Sequence, residues 1–350
     1  MDIRELLLGK KPMAALADVV LFCRKLSFLL GSGLTVGASL PIIRGQVERH
    51  GFKSALRRLH NFVVQGEGFS SALFGVGVFP PFLCGFVGIG EKTGRLSEAF
   101  GKLADFYEEH AKIKRETSQA LIYPGVVATV MLVVIVLAVV LVLPGYEDIF
   151  ISSQVPLPAA TSTLISISQF VSGNLAFIVP VMLIAVSLCI ISARSRQGRY
   201  LMSTILLKLP LYRKGINLRI CEPLSLLLGS SVNISEAVPM CAGLINNLKV
   251  KEDFRNLEAE IKKGRPFWAA LERLAYVDSL FLGLARVGEE SGNLPQAMES
   301  CSRYLLEEYR LGMKKLGKMV EPMVTLALGA ILALVMLAVV LPTFQLAQVM

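Results

Sequence analysis

The residues closest to a ligand-binding motif lie at positions 88–93, which read GIGEKT. A phosphate-binding loop needs a glycine directly before its lysine, because backbone N–H groups there surround the phosphates, and it follows a β-strand. Here Glu91 precedes Lys92, and the surrounding residues have a helical pattern. These departures argue against nucleotide binding.

The same motif occurs twice, and the second copy has no lysine. The sequences are GEKTGRL and GEESGNL, and they share Gly90, Glu91, Gly94 and Leu96 with Gly288, Glu289, Gly292 and Leu294. We interpret each as a sharp turn between two helices, in which glycines allow close approach and the leucine returns to the core. A second interpretation stays open, because a carboxylate kept at both turns is suited to bind a partner or a cation.

Other residue types with catalytic potential are dispersed. The three histidines, His50, His60 and His110, all precede position 120, and none has a histidine four residues away. The six cysteines include no C-x-x-C pair, so buried small side chains are expected rather than a zinc site. The sequence predicts no catalytic residue, no cofactor and no metal, and therefore a protein that is not an enzyme.

Helices are the elements that must position these residues. Apolar residues recur with a helical period, and the predicted helices cover 17–30, 52–64, 69–74 and 80–91, with a long one from about 96 toward 123. The sequence GSG at 31–33 is expected to end the first helix, and Thr35 to cap the next. Strand patterns are absent, which favours an all-α bundle.

The composition predicts a membrane protein, since 53% of the 350 residues are hydrophobic and only 18% are charged. Three apolar stretches are long enough to cross a bilayer. The predicted order is an N-terminal segment 1–16, a cytosolic helical domain 17–122, a transmembrane helix 123–144, an extracytoplasmic loop 145–172, a transmembrane helix 173–193, a second cytosolic helical domain 194–320, a transmembrane helix 321–342 and an extracytoplasmic tail 343–350.

The distribution of charge predicts the orientation. All 36 Lys and Arg residues lie in the two blocks assigned to the cytosol, 16 before the first predicted span and 20 between the second and third. The N-terminus is therefore expected in the cytosol and the C-terminus outside it. Acidic residues are interspersed with the basic ones, which argues against nucleic-acid binding, and attraction to anionic membrane lipids explains the net charge of +9.

The chain matches itself without gaps at an offset of 198 residues. Each copy consists of a soluble block followed by one predicted span, and the middle span belongs to neither copy. Because the first span carries the chain outward, one additional helix is needed to return it to the cytosol. The two soluble blocks are therefore expected to be parallel and on the same side of the membrane.

A proline lies where each long helix is predicted to enter the membrane, at Tyr123-Pro124 and at Glu321-Pro322. Proline removes one backbone donor and permits a bend, so these four residues are candidate hinges. The alternative is that each proline marks the restart of a helix at the interface.

With its duplicated all-α domain, three spans and repeated GExxG turn, the chain resembles the F-type platform proteins of type II secretion systems and type IV pili. The resemblance implies an all-α polytopic protein of the bacterial inner membrane, with about six helices in each cytosolic bundle. It also implies self-association, coupling to a hexameric assembly ATPase, and contact with pilins or pseudopilins and other inner-membrane assembly proteins. The subclass, whether secretion, pilus or competence, stays open.

A small membrane transporter or channel subunit is the alternative interpretation, because internal repeats are common in such proteins. A pathway for ions or solutes needs polar groups at mid-depth in the membrane. The apolar stretches of the first and third predicted spans, 125–143 and 323–341, contain only Thr129 and Thr325 as polar residues. The platform interpretation is therefore favoured.

Overall fold

In the computed structural model, residues 14–137, 180, 196–245 and 247–349 are described. Within these ranges the chain forms α-helices and turns, and no strand. The helical content of both halves confirms the all-α prediction.

The first copy contains six helices. They are α1 (Leu16–Gly31), α2 (Val36–Gly45), α3 (His50–Val64), α4 (Phe69–Val76), α5 (Pro81–Lys92) and α6 (Leu96–Leu137). In the described part of the chain, α7 (Arg196–Leu206) comes next, and the second copy then repeats the six helices in the same order. The repeated helices are α8 (Pro210–Leu228), α9 (Ile234–Ala242), α10 (Leu248–Lys262), α11 (Phe267–Leu271), α12 (Ser279–Glu290) and α13 (Leu294–Val349).

Helix α1 shows why these sequences form amphipathic helices. Val19, Phe22 and Leu26 are buried on one side of the helix, at the spacing of about one and two turns. The helix ends where the sequence predicts, since Gly33 adopts a left-handed φ of +86°. Thr35 then caps α2 by accepting a hydrogen bond of 3.3 Å from the N–H of Ala38, as predicted.

Aromatic side chains dominate the core of the first copy. The ring of Phe22 lies 4.9 Å from that of Phe79 and 5.8 Å from that of Phe100, centroid to centroid. Phe22 and Phe100 meet edge to face, a favourable arrangement for two aromatic rings. The second copy buries Phe254, Phe267 and Phe281 at its centre. Aromatic residues of both copies therefore contribute to the buried core.

The helical bundles of both copies belong to one compact unit, formed by Met1–Arg115 and Ser203–Arg310. Within this unit α5 of the first copy packs against α9 of the second. The second unit comprises Glu116–Met202 and Leu311–Met350, whose described parts include the ends of α6 and α13. The repeat predicts two bundles, but it contains no information that they pack together.

Among the described residues, no helix combines the length and the apolar character that crossing a membrane requires. Residues 138–144 of the first predicted span lie outside the described residues, as do 1–13, the whole of the 145–172 loop, and 173–193 apart from Pro180. The three predicted spans and the domain boundaries built on them stay predictions.

The candidate hinge residues lie inside long helices. Tyr123 and Pro124 fall within α6, and Glu321 and Pro322 fall within α13, and the backbone is helical on both sides of each pair. No break marks the expected point of entry into the membrane. The proposed bending at these prolines stays a prediction.

Candidate functional site: the repeated glycine and glutamate turn

The repeated motif forms the same turn in both copies. After α5, the N–H of Arg95 donates to the carbonyl of Gly90 at 2.8 Å, and Gly94 adopts a φ of +69°. After α12, the N–H of Asn293 donates to the carbonyl of Gly288 at 2.8 Å, and Gly292 has a φ of +71°. This is the Schellman ending of a helix, in which glycine takes the left-handed position at no steric cost.

The first glycine of each motif allows the next helix to approach closely. A Cβ atom on Gly90 would lie 2.6 Å from the Cβ of Ala99, and one on Gly288 would lie 2.5 Å from the Cβ of Ala297. Non-bonded carbon atoms are optimally about 3.5–4.0 Å apart, so a side chain at either position would clash with the alanine. Only glycine fits. The motif leucines, which open α6 and α13, are partly buried against the core.

Glu91 is bound by backbone donors of its own copy. Its Oε1 accepts from the N–H of Phe69 at 2.6 Å, and its Oε2 accepts from the N–H of Ser70 at 2.9 Å. These two N–H groups begin α4, where a helix leaves its donors unsatisfied and carries a partial positive charge. The carboxylate therefore caps a helix that lies 22 residues earlier in the sequence.

Glu289 makes the equivalent contacts in the second copy. Its Oε1 accepts from Phe267 N–H at 2.8 Å, and its Oε2 accepts from Trp268 N–H at 2.9 Å. The ring of Trp268 also receives the guanidinium of Arg286, whose central carbon lies 4.7 Å from the ring centroid. The same carboxylate thus ties α12 to the start of the five-residue helix α11 in this copy.

These contacts change what is expected of the two glutamates. From the sequence, charge reversal at Glu91 or Glu289 is expected to disrupt assembly without unfolding the bundle. In the structure each carboxylate instead connects two helices of one bundle, so charge reversal would place a cation against two backbone donors. We therefore expect it to reduce stability, while a contact with a partner or a cation stays a prediction.

The first turn also lines a cavity of about 320 Å³ at the junction of the two copies. Arg95 and Lys102 border it from the first copy, and residues 229–231 border it from the second. Lys102 Nζ donates to Ser230 Oγ at 3.1 Å and to the carbonyl of Gly229 at 3.4 Å. The turn in the first copy is therefore next to the contact with the second copy.

The cysteines are buried, as the sequence predicts. Cys23, Cys84, Cys221, Cys241 and Cys301 are free thiols within the described residues, whereas Cys189 lies outside them. Burial raises the pKa of the Cys84 thiol to about 12 and raises the pKa values of Cys23, Cys221 and Cys241. Reactive cysteines have depressed pKa values, so these thiols serve as packing groups.

Two buried amides in the second copy were not predicted. Asn217 accepts from the N–H of Asp278 at 2.9 Å and donates to the carbonyl of Tyr276 at 2.8 Å. Asn247 caps α10 through Val250 N–H at 3.0 Å. The position of Asn247 before a helical pattern was a usable signal. Asn217 lies inside a helix, where it also donates to the carbonyl of Arg213. Its partners Tyr276 and Asp278 lie about 60 residues away.

Comparison with known proteins shows that both copies match the same family model. The family model described as type II secretion system (T2SS), protein F matches residues 22–144 and again residues 220–342. The second match begins 198 residues after the first, which is the offset of the internal repeat, and together the matches cover more than half of the chain. The chain belongs to the type II secretion system protein F family. Both GExxG turns lie inside the parts that match this protein F family.

Curated members of the family match along nearly the whole chain. The type IV pilus assembly protein PilC of Thermus thermophilus is 28% identical over 94% of this chain and 82% of its own length. PilC of Pseudomonas aeruginosa is 25% identical over 97% and 91%. The type II secretion system protein F of Aeromonas hydrophila is 23% identical over 95% and 87%. The similarity therefore extends to members named for both machines.

Proposed function

We propose that this protein is the inner-membrane platform of a type II secretion or type IV pilus-like machine, where it couples a cytosolic assembly ATPase to the assembly of pilins or pseudopilins. The observation that carries the proposal is the double family match in the register of the internal repeat. The relatives named for pilus assembly and for secretion support the same role.

The contacts within each bundle suit a part that transmits movement. Glu91 and Glu289 connect the end of one helix to the start of another, so consecutive helices are tied together in each copy. Charge-assisted hydrogen bonds of this kind hold geometry more firmly than neutral ones. A force applied to one helix is therefore expected to move the bundle as one body.

Polar contacts also join the two copies. His110 Nε2 lies 3.0 Å from Glu222 Oε2, and Arg310 donates to Glu109 from the opposite copy. Arg310 and Glu109 lie on the long helices α13 and α6, which continue into the segments predicted to span the membrane. In the proposed mechanism the ATPase moves the cytosolic bundles, and these helices carry the movement to pilin subunits in the bilayer.

The proposed placement follows the charge pattern. We propose a multi-pass protein of the bacterial inner membrane, with domains 17–122 and 194–320 in the cytosol beside the hexameric ATPase. The spans 123–144, 173–193 and 321–342 would contact membrane lipids, further copies of the chain and other inner-membrane assembly proteins. The segments 145–172 and 343–350 would lie outside the cytosol. No step of this role requires the protein to catalyse a reaction.

Gene replacement tests the role directly. Deleting the gene in its own host should abolish filament or pseudopilus assembly while the ATPase and pilins remain at normal levels, and the wild-type gene should restore assembly. Purified protein should also be retained by the immobilised assembly ATPase of the same host. Normal assembly in the deletion strain would refute the proposal, and robust solute flux through liposomes containing the pure protein would favour a transporter.

A further inference from the structure

The two copies contact each other through different faces. We define the leading face as the outer side of α1 and α2, or of their equivalents α8 and α9. The trailing face is the outer side of α5 and α6, or of α12 and α13. In the compact unit the leading face of the second copy lies on the trailing face of the first: Met240 Cε would lie 2.9 Å from a Cβ at Gly85, and Glu222 Oε2 lies 3.0 Å from His110 Nε2.

This arrangement leaves the leading face of the first copy uncovered. Phe28, with 74% of its surface exposed, occupies the position of Leu226, which is partly buried in the second copy. Ile42 is also exposed and occupies the position of Met240, which is partly buried. Large exposed apolar side chains grouped on one face are typical of an interaction surface.

The trailing face of the second copy is uncovered in the same way. Tyr304 is 47% exposed, whereas its first-copy equivalent Phe106 is 6% exposed. Val287 is 62% exposed, whereas its equivalent Ile89 is partly buried. The helix glycine Gly283 has no atom within 4 Å of the position of a Cβ. Each of these exposed residues thus has a less exposed equivalent in the first copy, and one of those equivalents, Gly85, lies directly against the second copy.

The two uncovered faces complement each other at the positions that form the internal contact. At the internal contact, Met240 of the leading face lies over Gly85 of the trailing face. The equivalent residues on the uncovered faces are Ile42, which is exposed, and Gly283, which has open space where a Cβ would be. The exposed Ile42 side chain could therefore fill the hollow at Gly283, the space that the missing side chain leaves on the helix surface.

Charge is also complementary, with the signs exchanged between the faces. Where Glu222 of the leading face meets His110 of the trailing face, the uncovered faces offer Arg24 and Glu308. Half of the Arg24 side chain is exposed while it pairs with Asp105 and Glu108 of its own copy, and about a third of Glu308 is exposed while it pairs with Lys214. Opposite charges at this position favour docking and fix its register.

We propose that a second copy of this chain occupies these faces, so that the leading face of one molecule docks on the trailing face of the next. Such a contact is heterologous, because it joins two different surfaces and leaves one of each kind free at the ends. Repetition of one heterologous contact builds a ring or an open arc. Since both bundles are predicted to be parallel on one side of the membrane, the assembly would extend in the membrane plane.

The head-to-tail contact repeats the internal contact of the two copies and does not depend on the proposed role in pilus assembly. A molecule that failed to self-associate in this way would still be able to support filaments, and loss of filaments would say nothing about this contact. Association of the purified chain alone is therefore the quantity to measure.

Cross-linking between differently marked chains tests the head-to-tail arrangement. Full-length chains carrying Ile42→Cys are mixed in lipid nanodiscs or detergent with chains carrying Val287→Cys, which lies one turn after Gly283 on α12 and leaves that glycine unchanged, and a short bis-maleimide is added. We expect a cross-linked dimer in the mixture at least ten times more abundant than in either variant alone. Val64→Cys mixed with Val287→Cys is the matched control, because Val64 is exposed but lies on α3. The native thiols near these faces are buried and serve as background in all mixtures.

Each alternative gives a different product pattern. Dimers formed by Ile42→Cys alone would indicate a symmetric contact and overturn the proposal. A product that appears only after residues 2–13 are deleted would mean that this segment covers the leading face, and would also overturn it. Absence of product above the Val64→Cys control would leave another protein of the machine as the occupant and would equally overturn it.

A substitution at the hollow separates association from folding. A Cβ at position 283 would meet none of the described atoms within 4 Å, and Gly283→Leu replaces a helix glycine by a good helix former, so the midpoint of thermal unfolding should not fall. The same change fills the hollow, and we expect the dissociation constant of the oligomer to rise at least tenfold. Unchanged association of Gly283→Leu, measured by mass photometry, would refute the docking geometry.

Discussion

The capping role of Glu289 predicts a large cost for a conservative substitution. Glu289→Gln keeps the length of the side chain but removes the charge and turns an N–H donor toward the backbone N–H of either Phe267 or Trp268. Each hydrogen bond from a backbone donor to a charged group is worth about 1.5–3 kcal/mol. One neutral bond survives the substitution, so the free energy of unfolding of the second bundle should fall by about 2–3 kcal/mol.

The single tryptophan provides the assay, because Trp268 donates one of the two hydrogen bonds to Glu289. Fluorescence of Trp268 in the full-length protein, followed during chemical denaturation in mild detergent, reports on this bundle. A loss of 2–3 kcal/mol raises the unfolding equilibrium constant about 30- to 150-fold. Amide exchange at the start of α11 should accelerate in the same proportion.

The neighbouring residue supplies the control. Glu290 pairs with Arg286 at the surface at 2.9 Å, and its side chain is 57% exposed, so Glu290→Gln should cost less than about 1 kcal/mol. If Glu289→Gln is no more destabilising than Glu290→Gln, the capping argument is wrong. If Glu289→Lys abolishes assembly but leaves the stability unchanged, the partner-binding interpretation of this glutamate is correct instead.

Three further predictions concern other parts of the bundles. Asn217→Ala leaves buried backbone groups of the loop before α12 unpaired and should reduce the free energy of unfolding by about 2–4 kcal/mol. Asn233→Ala, which removes an exposed helix cap, should cost about 1 kcal/mol, and chemical denaturation measures both. Gly94→Ala forces a left-handed conformation and should cost about 1–2 kcal/mol, whereas Gly37→Ala in helix α2 should not destabilise, as judged by thermal unfolding. The Cys84 thiol keeps its proton in the folded state up to a pKa of about 12, while the unfolded thiol loses it above about pH 8.5. The unfolded state then binds fewer protons, so stability should fall with rising pH above about 8.5, and wild type should lose up to about 1.4 kcal/mol per pH unit more than Cys84→Ala in denaturant titrations.

The helices of the first copy were predictable because their signals are local. The predicted helix 52–64 is observed as His50–Val64, and the predicted 80–91 is observed as Pro81–Lys92. Apolar periodicity, the cap at Thr35 and the glycine at position 33 act within one or two turns of the residues they affect. The ends differ by only one or two residues, which is the usual uncertainty of helix boundaries.

The role of the motif glutamates was predictable only in part. The spacing of glycines indicates a turn, and the turn is observed. The capped helix lies 21–22 residues earlier, and no sequence pattern connects Glu91 to the N–H groups of Phe69 and Ser70. The packing of the two bundles was unpredictable for a similar reason, because an internal repeat states that two parts are alike and not where they touch.

The capping by Glu289 also determines the order in which two helices can form during synthesis of the chain. Helix α11 has only five residues, and so short a helix is not stable by itself in water. Its first donors are satisfied by Glu289, which a ribosome adds after Phe267 and Trp268 have already emerged. We therefore expect this early segment to become helical only after the later helix α12 is complete. A nascent chain that stops just before position 289 would expose this segment to chaperones and proteases, and one extended past the Gly292 turn would protect it.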